Sequence, residues 1–229
     1  DFAGLTNRGN IAQLVLSGDL PNLFVDNVYY YIGELTPDAE PVVGAPAPTR
    51  DEANVISLFS DAYTDVPVDT WQTPWSAGVL EDITVDGNPT KKYSNLDFVG
   101  IETVANPVDA TNMTHLHLDV WSPNFTLFGV KLVDFGADGA FGGGDDVEFQ
   151  IDFDAPVQEE WVSLDIPLSD FTDLTTRANL GQYVLVGQPT GGATVYIDNF
   201  YFYADGGGGP TDPTMAAPTP MEDPANVIS

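Results

Sequence analysis

Thr114-His115-Leu116-His117-Leu118-Asp119-Val120-Trp121 alternates apolar and polar residues with a period of two. In an extended chain successive side chains point to opposite faces, so Leu116, Leu118 and Val120 share one face and His115, His117, Asp119 and Trp121 the other. One face is set for a core and the other for a surface, which is the mark of a half-buried strand. The same pattern spreads outward. Phe128 to Leu132 continues it with Lys131 outward, Asp146 to Phe153 places Val147, Phe149, Ile151 and Phe153 inside, and Trp161 to Ile166 repeats it with Trp161 outward. Ile56 to Ser60 reads as an opening strand, Lys91 to Thr103 as one or two, and Tyr183 to Gly187 and Thr194 to Tyr203 as the last. No stretch has a convincing helical period. Eight to ten short strands of this kind predict an all-β fold, an antiparallel β-sandwich of the jelly-roll type.

Between these strands the chain is punctuated by Gly, Pro, Asn and Asp. Trp71-Gln72-Thr73-Pro74-Trp75 reads as an exposed loop, because its proline blocks a regular ladder. Asp134 to Asp146 is a glycine-rich acidic hairpin loop.

The sequence also repeats itself. Ala53-Asn54-Val55-Ile56-Ser57 returns as Ala225-Asn226-Val227-Ile228-Ser229, an offset of 225 − 53 = 172 residues. Val25 to Tyr31 matches Ile197 to Tyr203 at the same offset, and Asp1 to Asn10 matches Asp170 to Asn179 at 169, so an indel of three residues lies between. A period this long implies tandem globular modules. Residues 1–34 then correspond to the end of one module, 35–43 to a linker, 44–204 to a complete sandwich, 205–215 to a Gly/Pro linker and 216–229 to the start of another module. A module lacking most of its strands cannot bury its apolar face. Residues 1–34 therefore belong either to a longer array or to a neighbouring copy that they complete by inter-chain strand addition.

Six Lys plus Arg against 35 Asp plus Glu give a formal charge of −29, which repels nucleic acid and anionic membrane surfaces and suits a salty medium or divalent cations. No apolar run is long enough to span a bilayer. The absence of cysteine is compatible with a secreted bacterial protein.

Leu58 to Tyr63, Leu116 to Trp121, Trp161 to Phe171 and Ile197 to Phe202, taken in that order, resemble the jelly-roll carbohydrate-binding modules appended to secreted polysaccharide-degrading enzymes, notably of marine bacteria. The resemblance implies a non-catalytic, extracellular or cell-surface, polysaccharide-binding role. It also implies a structural calcium held by the acidic residue of the closing strand, Asp198 here and Asp26 in the partial module, with Asp61 and Asp65 as partners. The alternative for Asp198-Asn199 is a local turn or bulge. Asp138, Asp145 and Asp146 form a second candidate calcium loop, since glycines let carbonyls approach a cation, or else a solvated hairpin tip.

Sugar binding needs flat aromatic faces with flanking polar groups. Trp71, Trp75, Tyr93, Trp121 and Trp161 are the aromatic candidates. His115, His117, Asp119, Lys131, Glu148 and Gln150 are expected as polar neighbours on one sheet face, and the alternative is that the tryptophans cover the core or pack between modules. Catalysis is weakly supported: there is no nucleophile motif, and His115 with His117 supplies only two ligands for zinc. The competing expectation is a structural repeat of an extracellular fibre, filament or adhesin, whose partners are other copies of the same repeat.

Overall fold

The chain divides into residues 1–35 and 36–229, and the computed structural model describes residues 39–205, all within the second unit. Nine strands follow one another: β1 Val55–Phe59, β2 Ala77–Val85, β3 Asn88–Glu102, β4 His115–Trp121, β5 Leu127–Asp134, β6 Val147–Asp154, β7 Val162–Pro167, β8 Leu180–Gln188 and β9 Ala193–Tyr203. Among the described residues, only the short 3₁₀ turns Glu52–Asn54 and Leu168–Asp170 are helical, and no helix is long and apolar enough to cross a membrane.

The strands form one antiparallel hydrogen-bonded network that folds back on itself. β3 makes the fold possible. Its first half pairs with β9 (Tyr93 opposite Val195) and its second half with β8 (Gly100 opposite Val184), with a register break between Tyr93 and Leu96. Asn95 sits in that break at φ +51°, so a bulge bends the strand from one layer into the other. The first sheet is β3–β9–β4–β7 with β1 also on β9, and the second is β3–β8–β5–β6, while β2 runs along the outer edge of β3. The inward residues of both sheets meet in a single core that includes Leu116, Leu118, Val120, Val130, Leu132, Leu185, Ile197, Phe200 and Phe202.

The alternation predicts the faces of β4, β5 and β6 correctly. It misses β2 altogether. That strand is joined to β3 by a two-residue turn, Asp86-Gly87, with φ of +51° and +85°. Both central residues at positive φ is the hairpin geometry that matches strand twist, and Asp-Gly is a strong local signal for it.

Residues 39–43, expected as linker, are anchored. Glu40 accepts from Lys92 Nζ at 2.8 Å and from the Tyr196 hydroxyl at 3.3 Å, and the Val43 carbonyl accepts from Trp161 Nε1 at 2.8 Å. The segment continues over the outer face of the first sheet. The Pro46 carbonyl accepts from Asn199 Nδ2 at 3.0 Å, and Arg50 lies over the Tyr203 ring at 4.0 Å while pairing with Asp205 at 3.0 Å. A Pro-rich strap thus covers one face of the sandwich and leads into β1.

Candidate functional site

The two sheets turn opposite faces outward, and the expected polar set is divided between them. His115, His117 and Asp119 lie on the outer face of the first sheet, under the strap. Lys131, Glu148 and Gln150 lie on the outer face of the second.

On the first sheet the aromatic candidates are spent on packing. Trp121 is 4% exposed and meets Tyr196 edge-on at 5.3 Å, and Trp161 is tied to the strap. His115 and His117 stack on Tyr203 and Tyr201 at 4.8 and 4.6 Å. His117 is held from both sides, with Nδ1 2.9 Å from Asp165 Oδ1 and Nε2 3.4 Å from Asp119 Oδ1. Burial works against its charge, but the two carboxylates prevail and raise it above the ordinary histidine value. Asp119 accepts further from Ser163 Oγ and from Asn199 Nδ2.

Asp198 and Asn199 form a bulge in β9: Asn199 has φ +49°, and the register on β4 slips between His117 and Asp119. Asp198 is fully buried, accepting from the Asn199 N–H and from Asn88 Nδ2, each at 2.7 Å. Burial, with the neighbouring charges of Asp119 and Asp61, pushes it up to about 7. In front of it Asp61, Asp86, Asn88 and Asn199 line a hollow of about 370 Å³ beneath residues 43–47. Asn88 Oδ1 is buried there without a hydrogen-bond partner. Asp65 faces elsewhere, accepting from Ser57 Oγ at 2.6 Å and the Ser60 N–H at 3.1 Å. Asp26 lies outside the described residues. Among the described residues no three His, Cys, Asp or Glu side chains are grouped to hold a metal ion, so a cation at this hollow would depend on the amide oxygen of Asn88 besides Asp61 and Asp86.

The carboxylates of the Asp134–Asp146 loop fold the loop itself. Asp145 Oδ2 accepts from the Ala137 and Asp138 N–H groups, Asp138 Oδ1 from the Ala140 N–H and Asp146 Oδ2 from the Gly142 N–H. Asp146 Oδ1 is buried without a partner.

The second sheet presents an open groove of about 360 Å³. Three rows of outward residues cross its four strands in register: Phe98, Val186, Gly129 and Asp152; Gly100, Val184, Lys131 and Gln150; Glu102, Gln182, Val133 and Glu148. Trp75 forms one wall. It is 45% exposed and stacks on Phe98 at 6.1 Å and 25°. Its loop is pinned to β3, where the Thr73 N–H donates to the Gly100 carbonyl and the Gly100 N–H to Ser76 Oγ, both at 3.0 Å. Only glycine permits this, because a Cβ on residue 100 would come within 2.1 Å of the indole ring. Phe141, 65% exposed, lines the groove from the acidic loop. On the floor Lys131 Nζ donates to Glu148, Gln182 Nε2 to Glu102 and Gln150 Nε2 to Asp152, at 2.8, 2.8 and 2.6 Å. Aromatic walls and a floor of amides and carboxylates can hold a chain of linked rings by stacking and by hydroxyl hydrogen bonds.

No protein-family model matches the chain, and no curated protein matches it in sequence. Among solved structures, the family 30 carbohydrate-binding module of a cellulosomal cellulase of Clostridium thermocellum matches at a TM-score of 0.52 and 15% identity, over 66% of this chain and 98% of its own. A second crystal structure of a family 30 carbohydrate-binding module gives 0.51 at 14% identity, over 72% and 92% of the two chains. This is a carbohydrate-binding-module fold. The jelly roll expected from the alternation is therefore the architecture present.

Within that fold the candidate tryptophans separate. Trp75 is open on the groove. Trp71 packs edge-on against Phe59 and Phe200, at 5.6 and 6.4 Å. Tyr93 is 1% exposed and donates its hydroxyl to the Trp71 carbonyl, so it is a core residue and offers no face to a ligand. Trp121 is corrected in the same way by its burial, while Trp161 is half-buried with its Nε1–H donated to the Val43 carbonyl. The groove residues Phe98, Glu102, Gln182, Val184, Val186 and Phe141 were not among the candidates. Phe98 lies within Lys91 to Thr103, read as strand, and recognising the Asp86-Gly87 hairpin would have set that strand beside the Trp75 loop.

Proposed function

We propose that this chain is a non-catalytic, extracellular or cell-surface module of a bacterial tandem-repeat protein, binding polysaccharide in the groove of its second sheet. The observation that carries this reading is Trp75 held open beside Phe98 over a floor of hydrogen-bonding side chains. The known modules that share the fold are carbohydrate-binding, which supports the reading. Affinity electrophoresis against a panel of soluble polysaccharides tests it, with Trp75→Ala as control. Retardation by at least one polysaccharide, lost in the variant, is expected. No retardation by any of them, or retardation unchanged in Trp75→Ala, overturns the reading.

Calcium belongs to the same proposal as a stabilising ion at the Asp61, Asp86 and Asn88 hollow. Its support is the unpartnered Asn88 Oδ1 and the negative charge around Asp198. Added calcium should raise the melting temperature and a chelator reverse the gain; a melting temperature indifferent to both removes calcium from the proposal.

A second reading, a structural repeat of an extracellular fibre, filament or adhesin, is favoured by the 172-residue recurrence and by the burial of Trp121. In that case the polysaccharide panel is silent and the partners are other copies of the repeat.

A further inference from the structure

The strap-covered face of the first sheet shows what kind of segment it accepts. Its occupant is residues 39–59: an acid at Glu40 for Lys92 and Tyr196, a Pro46 carbonyl for Asn199, an Asp51 that caps the Ala53 N–H, and β1 pairing Val55, Ile56 and Ser57 with Tyr203, Phe202 and Tyr201. Beneath it lie Tyr201 and His117, so a proline-bearing segment rests on an aromatic surface. The chain carries a second segment with the same features in the same spacing. At an offset of 172, Glu40 becomes Asp212, Pro41, Pro46 and Pro48 become Pro213, Pro218 and Pro220, Asp51 becomes Asp223, and Ala53 to Ser57 recur unchanged as Ala225 to Ser229.

We infer that residues 211–229 form a docking segment for the β9–β4–β7 face of a second copy of this chain, where they take the place of its strap and β1. Most of the positions that match are ones the face holds. Three that differ weaken the fit: Arg50, which stacks on Tyr203 and pairs with Asp205, becomes Glu222; Gly44, where a Cβ would come within 2.9 Å of the Asn88 side chain, becomes Ala216; and Glu52, whose Oε1 accepts from the Thr64 N–H, becomes Pro224. The resident strap therefore wins on its own module, aided by the high effective concentration of an attached segment. Reach alone does not keep the segment from its own module: Asp212 would have to lie where Glu40 does, beside Tyr196, seven strand residues or about 23 Å from Tyr203, and the nine residues from Tyr203 to Asp212 span up to about 30 Å. What favours a second copy is that on its own module the place is already held by residues 39–59.

The test weakens the resident strand. In the full chain, Ile56→Asp disables β1, and light scattering after gel filtration across a hundredfold concentration range reads the mass. Concentration-dependent dimers and higher oligomers are expected, and adding Ile228→Asp, which lies outside the described module, should return the chain to a monomer. A monomeric Ile56→Asp, or oligomers that persist in the double variant, overturns the inference. Should Ile56→Asp not fold, a fluorescent peptide of residues 211–229 titrated onto the chain carrying Ile56→Ala, a milder weakening of β1, decides: saturable binding competed by unlabelled peptide supports it, and no binding overturns it. None of these measurements involves polysaccharide, so the outcome is independent of the groove.

Discussion

The two outer faces of the sandwich start from similar materials and end differently. Each carries aromatic rings and polar side chains in register on neighbouring strands. On the first, Tyr196, Trp121, Tyr201, Tyr203, His115 and His117 pair among themselves and lie along the strap. On the second, nothing among the described residues lies over Val184, Lys131 and Gln150, and Trp75 stands at the side with its ring partly in solvent. Aromatic content alone therefore does not identify a binding face. What separates the two is whether the chain's own backbone has already taken the hydrogen-bonding and stacking positions.

The largest effect that could break this contrast is on stability. Trp121→Ala empties a buried site against Tyr196 and should cost about 3–5 kcal/mol in urea unfolding, as large-to-small changes of buried aromatics do. Trp75→Ala removes a ring that is nearly half in solvent and should cost much less. If the two variants lose equal stability, the faces are not different in kind.

Polysaccharide affinity should reverse the order. Trp75→Ala should weaken binding about tenfold or more, in line with an aromatic anchor worth ~1.4 kcal/mol or above. Gly100→Ala should mimic it, because the added methyl displaces the indole. A loss with Trp121→Ala at unchanged fold content would move the site to the other face.

The strap side alone should also carry a pH dependence. With its carboxyl raised from 3.8 to about 7, Asp198 binds its proton more tightly folded than unfolded. Its contribution is intact below pH 4, declines as pH rises towards 7 and is constant beyond, a change of at most about 4 kcal/mol by linkage. His117, raised by Asp119 and Asp165 despite its burial, acts in the same sense, losing its contribution as pH rises through its folded value. Asp198→Asn, in which Asn88 can turn its unpartnered oxygen toward the new amide, should gain on the parent between pH 5 and pH 8 without calcium. Parallel stability curves for the two proteins would contradict this.

The contrast also explains what the sequence could reveal. Strands β4, β5 and β6 each turn one apolar face to the core, so that side writes itself into their alternation, and Leu116, Val130 and Ile151 could be assigned inward without knowing any neighbour. Which strands lie beside one another is not local information. His117 and Lys131 both read as outward, yet the bend of β3 at Asn95 puts their strands in opposite layers. Trp71 and Trp75, four residues apart in one loop, take opposite fates because one turns under Phe59 and the other over Gly100. The strap is least legible of all. Pro41 to Pro48 has linker composition, and only the groups awaiting it on the sheet, Lys92, Trp161 and Asn199, make it structure.

The smallest expected effect bears on the strap itself. Arg50 lies over Tyr203 with its guanidinium partly in water, a contact worth about 0.5–1 kcal/mol, and its exposed pairing with Asp205 adds little. Arg50→Glu gives the resident strap the residue found in residues 211–229 at that position and sets a negative charge near Asp165 and Asp205. Amide hydrogen exchange over residues 44–50 should then quicken several-fold through local opening, while the groove amides of Val184 and Lys131 keep their protection. Equal quickening on both sheets would mean that the strap is an integral layer of the sandwich. Confinement to residues 44–50 would mark it as a segment the face holds and can exchange.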